Sequence, residues 1–201
     1  MKSKKPMTTE KFFDLMRGRN DKNRVSLDRE INAECGAEMT VVCCDSSGFS
    51  KKTHEHGIIE FMDNMTKCHD GLKLVVEQHG GTVLSDKADN LMLLFPEPQK
   101  AVACAVEMHR WLRKRNKDLP DQKKYNMCIG VHHGALLRFA DDAYGAAVNV
   151  AFKLGEDVAG KDELLVTGEV NAVVCGLFDT EYSKNVTIGA VEFDVYKVNY
   201  K

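Results

Sequence analysis

The sequence predicts an α+β fold, an antiparallel sheet with helices on one face, and three observations carry that prediction. Apolar runs of strand length end at polar or turn-forming residues near 38–44, 82–95 and 126–132. Between them lie stretches whose apolar residues recur every three to four positions, the helical period. Gly80-Gly81 stops the first of these helices directly before a hairpin-like pair of runs. Strand, helix, hairpin, helix, strand is an order that brings neighbouring strands together antiparallel, with the helices packed on the sheet.

The elements follow in chain order. Residues 1–37 read as an N-terminal helical arm and 38–201 as the domain proper. In the arm, Thr8 or Thr9 caps a short helix through Phe12, Phe13, Leu15 and Met16. A basic linker, 17–24, leads to a second helix from Ser26 to about Cys35, which Gly36 ends. The apolar face of this arm requires packing on the domain or on a partner. Strand one occupies 38–44, and a long helix follows over 56–79 with Ile58, Phe61, Met62, Met65, Cys68, Leu72, Val75 and Val76 on one side. A hairpin spans 82–95. Pro96 and Pro98 open a helix carrying Ala101, Val102, Ala105, Met108 and Leu112, and 113–124 reads as a loop. A strand near 126–132, a helix from about Tyr144, a strand at 163–167 and a closing strand or strand pair at 186–198 complete the chain.

Composition narrows the function classes. The chain has 201 residues, enough for one domain with a real core. Apolar content is 43% and charged content 29%, ordinary for a globular protein. A net charge of −2 argues against a nucleic-acid or membrane-surface binder. Lys2, Lys4 and Lys5 read as a solvated tail. No apolar run approaches the roughly 20 residues that cross a bilayer, and no signal-peptide core opens the chain. The seven cysteines are odd in number and mostly sit in apolar segments, so they read as reduced core thiols of a cytoplasmic protein. Neighbouring His132 and His133 point to opposite faces of a strand and read as structural. His54, His56 and His69 read as surface groups.

Two carboxylates stand out. Asp45 ends the apolar run Met39-Thr40-Val41-Val42-Cys43-Cys44, and Asp89 lies in the hairpin Gly80 to Phe95. A charge at the end of a buried strand costs several kcal/mol if it is left unpaired. Two of them, brought together by a helix that folds back, could share hard cations such as Mg²⁺, which takes one or two carboxylates plus substrate phosphates.

These residues carry a family resemblance. Asp45-Ser46-Ser47-Gly48-Phe49-Ser50 resembles the Asp-x-x-Gly-Phe-(Thr/Ser) motif of the class III nucleotidyl cyclases, and 80–95 resembles that family's second metal hairpin. Asp142-Ala143-Tyr144-Gly145 through Val148-Asn149 to Lys153 is similar to its Asp-x-(Trp/Phe/Tyr)-Gly-x-x-Val-Asn-x-Ala-x-Arg block. Order and spacing match over about 38–198. The resemblance implies a ferredoxin-like sheet and conversion of a nucleoside triphosphate, ATP by preference, to its 3′,5′-cyclic monophosphate and pyrophosphate. It implies two Mg²⁺ or Mn²⁺ ions per site, held by Asp45, Ser46 and Asp89. Ser46, Ser47, Gly48, Phe49 and Ser50 would form the turn whose backbone N–H groups cradle the β- and γ-phosphates. Asn149 would order the ribose. Asp142, or its neighbour Asp141 if the loop shifts, would accept from an amino group on the base.

The chain departs from the family at three side chains and in the length of one segment. Lys153 stands where Arg usually reaches the α-phosphate, and Lys is a point charge rather than a fork. Ser85 stands where a Lys reads adenine, with Lys87 two residues on and on the same strand face. Ile188 stands where a Lys neutralises the triphosphate; Arg138 or Lys184 are the candidate substitutes. Only ten residues separate Gly134 from Gly145, where the family carries a longer arm with dimer contacts. In the family the metal carboxylates come from one protomer and the Asp142–Asn149–Lys153 set from the other. One chain with both sets therefore implies a head-to-tail homodimer. Two further readings stay open: a catalytically silent domain that binds nucleotide or a partner, and a cyclase for another base such as a pyrimidine.

Overall fold

A computed structural model describes residues 6–200; Lys2, Lys4 and Lys5 lie outside the described residues. After α1 (Thr9–Arg17) and α2 (Arg24–Cys35) come β1 (Gly36–Ser46), α3 (Phe49–His56), α4 (Ile58–Gln78), the hairpin β2 (Thr82–Lys87) and β3 (Asn90–Phe95), and α5 (Pro98–Asn116). Then follow β4 (Met127–Arg138), β5 (Ala143–Tyr144), α6 (Ala146–Phe152), a π-helical turn (Lys153–Val158), β6 (Leu164–Thr167), α7 (Gly168–Val174), β7 (Asp179–Ile188) and β8 (Val191–Asn199).

The strands form one sheet in the order β2-β3-β1-β4-β6-β8-β7, with β5 added to β4. Every pairing is antiparallel except β4 with β6. The centre of β1 is a continuous apolar run rather than an alternating one because both its faces are covered. On one face Val42, Leu93 and Val131 pack under α4 and α5, with Phe61, Leu72, Val76, Ala105, Met108 and Leu112 from the helices. On the other, Val41, Cys43, Met92 and Leu94 meet Ala147 and Ala151 of α6. So α4, α5 and α7 share the face the sequence predicts, and the structure adds α6 on the opposite one.

Two glycines let the π-helical turn reach the sheet. A Cβ on Gly130 would sit 2.4 Å from the Gly155 nitrogen, and one on Gly155 would sit 2.9 Å from the Cys43 carbonyl oxygen. Any larger residue at either position would push the turn away from the end of β1, where Asp45 lies.

Several sequence expectations need correction. The helix expected over 56–79 is preceded by α3, which buries no side chain fully and so shows no apolar stripe. The expected 113–124 loop is partly helical: α5 continues to Asn116, and a short 3₁₀ turn covers Asp121–Lys123. Arg113, Lys114 and Arg115 in the last turn of α5 suit the negative end of the helix dipole. His69 is no surface group. It is buried on α4, bonded through Nδ1 to Asp86 at 2.8 Å and through Nε2 to the Tyr125 hydroxyl at 3.0 Å. His132 and His133 each bond a different threonine, Thr167 and Thr40, both at 2.9 Å, as opposite-facing neighbours must. Six of the seven cysteines are buried, and Cys175 is exposed.

The N-terminal arm packs on the domain. Phe12 lies 4.9 Å from Phe139, the Ala140 N–H donates to the Met7 carbonyl at 2.8 Å, and α2 buries Leu27, Ile31 and Cys35. Among the described residues no helix is long and apolar enough to cross a membrane.

Candidate active site

The carboxylates come together at one end of the sheet. Asp45 is the penultimate residue of β1, opposite Cys128 on β4. Asp89 is delivered by the tight β2–β3 turn, where Ala88 adopts φ +52°, a left-handed conformation that costs an alanine strain. The Ser46 hydroxyl donates to Asp89 Oδ2 at 2.8 Å, closing the group. Burial lifts the Asp45 carboxyl to about 7; the charges of Asp89 and Glu156 add to this, and the Ser46 N–H pulls it back. Glu156 is raised too, mainly by burial.

Glu156 was not among the expected site residues. It arrives on the π-helical turn and accepts from Asn90 Nδ2 at 2.8 Å. Asn90 Oδ1 is buried with no donor among the described residues. Carboxylates, an orphaned amide oxygen and a serine make an oxygen-only environment, the donor chemistry that hard divalent cations take. No cluster of three His, Cys, Asp or Glu suited to a metal occurs among the described residues. A cation here would therefore take Asp45, Asp89 and the Ser46 region, with its remaining ligands from phosphate or water.

The predicted phosphate turn follows at once. The Ser47 N–H donates to the Asn126 carbonyl at 2.9 Å, and Gly48, at φ +85°, caps α3 in a conformation that favours glycine. Phe49 packs edge-on against Phe61 at 5.0 Å, anchoring the turn to α4. Ser50 lies exposed in the first turn of α3, where its carbonyl accepts from the Thr53 hydroxyl at 3.1 Å.

The second set gathers in a neighbouring cleft, which Asn90 also lines. Ser85, Lys87, Asp142 and Asn149 line one cleft of about 360 Å³, together with Tyr144 and Phe152. Lys87 is exposed, yet its ammonium stands 3.8 Å from Asp142 Oδ2. Asp142 also accepts from the Ala143 N–H at 2.9 Å. Its neighbour Asp141 instead takes the Thr9 N–H at 2.9 Å and the Thr9 hydroxyl at 2.6 Å, from the N-terminal arm. Among the described residues no hydrogen bond or ion pair links Asp142 or Asn149 to Asp45 or Asp89.

The departures are placed as follows. Lys153 opens the π-helical turn and pairs with Asp157 at 2.5 Å. Ile188 packs in a small apolar cluster with Val158, Val186 and Phe193. Arg138 ends β4, its Nε buried without a partner among the described residues, and Lys184 sits on β7. Neither Arg138 nor Lys184 lines the cavity beside the phosphate turn.

Comparison with known proteins fits this architecture. The adenylyl cyclase CyaB from P. aeruginosa superposes with a TM-score of 0.72 at 18% identity, covering 82% of this chain and 94% of that one. The guanylyl cyclase Cya2 superposes with a TM-score of 0.72 at 20% identity, covering 81% and 92%. The chain therefore has the fold of the class III adenylyl and guanylyl cyclase catalytic domains. In sequence it is 29% identical over 138 residues to the serine/threonine-protein kinase pkn2 of Myxococcus xanthus, and 23% identical over 142 residues to "Putative adenylate cyclase 3" of Rhizobium meliloti (strain 1021). These matches cover 66% and 71% of this chain but 16% and 24% of those relatives. No family model matches the chain.

Proposed function

We propose that this chain is a nucleotidyl cyclase that converts a nucleoside triphosphate, ATP by preference, to its 3′,5′-cyclic monophosphate and pyrophosphate. The observation that carries the reading is the Asp45–Ser46–Asp89 group, whose Asp45 carboxyl is lifted to about 7 by burial and by neighbouring acids. Carboxylates crowded in this way are costly for the fold and suited to a cation. Mg²⁺ or Mn²⁺, two ions per site, bound by Asp45, Ser46 and Asp89, would acidify the ribose 3′-hydroxyl and offset charge on the attacking and leaving oxygens.

The chain's own residues then have distinct tasks. The turn from Ser46 to Ser50 holds the β- and γ-phosphates through backbone N–H groups. Asn149 orients the ribose so that its 3′-oxygen lies in line with the α-phosphorus. Lys153 neutralises the α-phosphate once it releases Asp157. Asp142 accepts from the amino group of adenine, with Ser85 or Lys87 beside it. In the class III cyclases these two residue sets come from different protomers, so here a second copy completes the site in a head-to-tail homodimer.

A second reading rests on Lys153 and Ile188. Lys153 is tied to Asp157, and Ile188 packs half-buried against an apolar cluster, so two family cations are engaged or missing. That favours a domain that binds nucleotide or a partner without turnover. The experiment that decides is purified protein with each of the four nucleoside triphosphates and Mn²⁺, followed by mass analysis of products. A 3′,5′-cyclic nucleotide supports the cyclase, and the base that reacts, purine or pyrimidine, identifies the substrate. No cyclic product from any of the four supports the silent domain.

A further inference from the structure

The cavity beside the phosphate turn carries an unassigned feature. It measures about 450 Å³ and is lined by Ser47, Gly48, Lys51, Lys52, Lys124 and Lys161, among others. Two of these lysines are already satisfied: Lys51 reaches Glu55 at 4.0 Å, and Lys124 holds Asp121 at 2.7 Å. Lys52 and Lys161 have no ion pair among the described residues. Lys52 is half-buried on the first turns of α3, with its ammonium donating to the Lys124 carbonyl. Burial, and after it the charge of Lys161, push that ammonium below its ordinary value. Glu55 and Asp121 line the cavity too, but each is already paired, with Lys51 and Lys124, so the two remaining ammonium groups favour a further anion. Ser47 and Gly48 of the turn line the same cavity, so the turn and the two lysines share one volume.

We propose that Lys52 and Lys161 clamp the terminal phosphates of the substrate triphosphate, and hold the pyrophosphate before it leaves. The inference rests on the cyclase reading for the identity of the anion, and on the cavity and its charges for the site. It assigns the triphosphate's charge to lysines of the same chain as the metal carboxylates. A cation at position 188 is then unnecessary, which accounts for an apolar residue there. Lysine suits the role, because a mobile point charge follows a phosphate that moves as the bond breaks, where a rigid fork fits one position.

The test is calorimetric titration of the full chain with pyrophosphate in the presence of Mg²⁺, for wild type and for Lys52→Met, Lys161→Glu and Lys117→Glu. Lys117 lines the adjoining larger cavity but not this one. Charge-assisted bonds to phosphate are among the stronger ones, so each clamp variant should weaken pyrophosphate roughly tenfold or more, with Lys117→Glu near wild type. Exposed Lys161 should tolerate replacement even if Lys52→Met misfolds. A competition arm separates a substrate tail from an independent polyanion: α,β-methylene-ATP, which cannot cyclise, should displace pyrophosphate. Wild type that binds no pyrophosphate, clamp variants that bind it normally, or a failure of competition would each overturn the clamp. Assay of wild-type cyclic product in parallel keeps the two readings apart. Product formed with unaltered pyrophosphate binding in the variants removes the clamp alone, and no product from wild type removes the cyclase.

Discussion

Asp45 and Asp89 stand among further carboxylates with no lysine or arginine paired to either among the described residues, whereas Asp142, in the second cleft, already has Lys87 at 3.8 Å. The first region is half-buried, rigidly framed by β1 and a strained turn, and overloaded with negative charge. The second is more open, with a loop aspartate, a serine and a helix amide around apolar walls. The difference teaches which half would gain most stability from a bound ligand. The carboxylate half stores unfavourable electrostatics that a bound cation would relieve. The cleft half is electrostatically settled and has only to recognise shape and hydrogen bonds.

The largest effect expected from this contrast is at the carboxylates. Asp89→Ala should lower turnover roughly a thousandfold or more, since a cation's contribution to the transition state is several kcal/mol. It should leave the fold intact, because among the described residues the Asp89 side chain bonds only to Ser46. Steady-state rates with Mn²⁺ and a circular dichroism melt check both halves, and wild-type turnover would remove Asp89 from the site. The cleft half should respond in selectivity more than in rate. Asp142→Ala should shrink the ATP-to-GTP ratio of kcat/KM roughly tenfold, the worth of a lost hydrogen bond to a charged acceptor. An unchanged ratio would make Asp142 a plain loop carboxylate.

How much of this was legible in the sequence depends on whether the signal was local. Asp45 could be read because a charge abruptly ends an apolar run, and Asp89 because Gly80-Gly81 and the following apolar positions set the hairpin. α3 could not, because Phe49-Ser-Lys-Lys-Thr-His-Glu-His56 turns mostly polar residues to solvent and leaves no periodic stripe. His69 was misread because its partners, Asp86 and Tyr125, come from a different strand and loop, a pairing that helical periodicity does not encode. Glu156 and Asn90 escaped notice for the same reason: only the close approach at Gly130 and Gly155 brings the π-helical turn to the carboxylates. The different surroundings of Asp141 and Asp142 were hidden too, because Asp141 is held by Thr9, more than a hundred residues away along the chain.

The smallest expected effect is on stability. Asp45 has a folded-state value of about 7 against an ordinary carboxylate value near 3.8. Between those values the folded state binds the proton more tightly than the unfolded one. Stability of the metal-free protein should therefore fall as pH rises from about 4 to about 7 through this group. Asp45→Asn should remove that fall and stabilise the metal-free protein at pH 8 by about 1 kcal/mol, after discounting for solvent screening of a half-exposed group. Denaturant melts at pH 5 and pH 8 measure it. A variant less stable than wild type at pH 8 would show that Asp45 is paired rather than crowded.

The central claim is that the two regions are complementary halves of one site and meet only across two chains. Mixing an Asp89→Ala chain with an Asn149→Ala chain tests it directly. Each homodimer has both of its sites spoiled, by one lesion or the other. A heterodimer places both lesions in one site and leaves the other whole, so an equal mixture should recover roughly a quarter of wild-type activity by random pairing of a symmetric dimer. Recovery near that level is the predicted result. No recovery, with subunit exchange demonstrated by mass-tagged chains, would place all these residues in a single protomer and contradict the account.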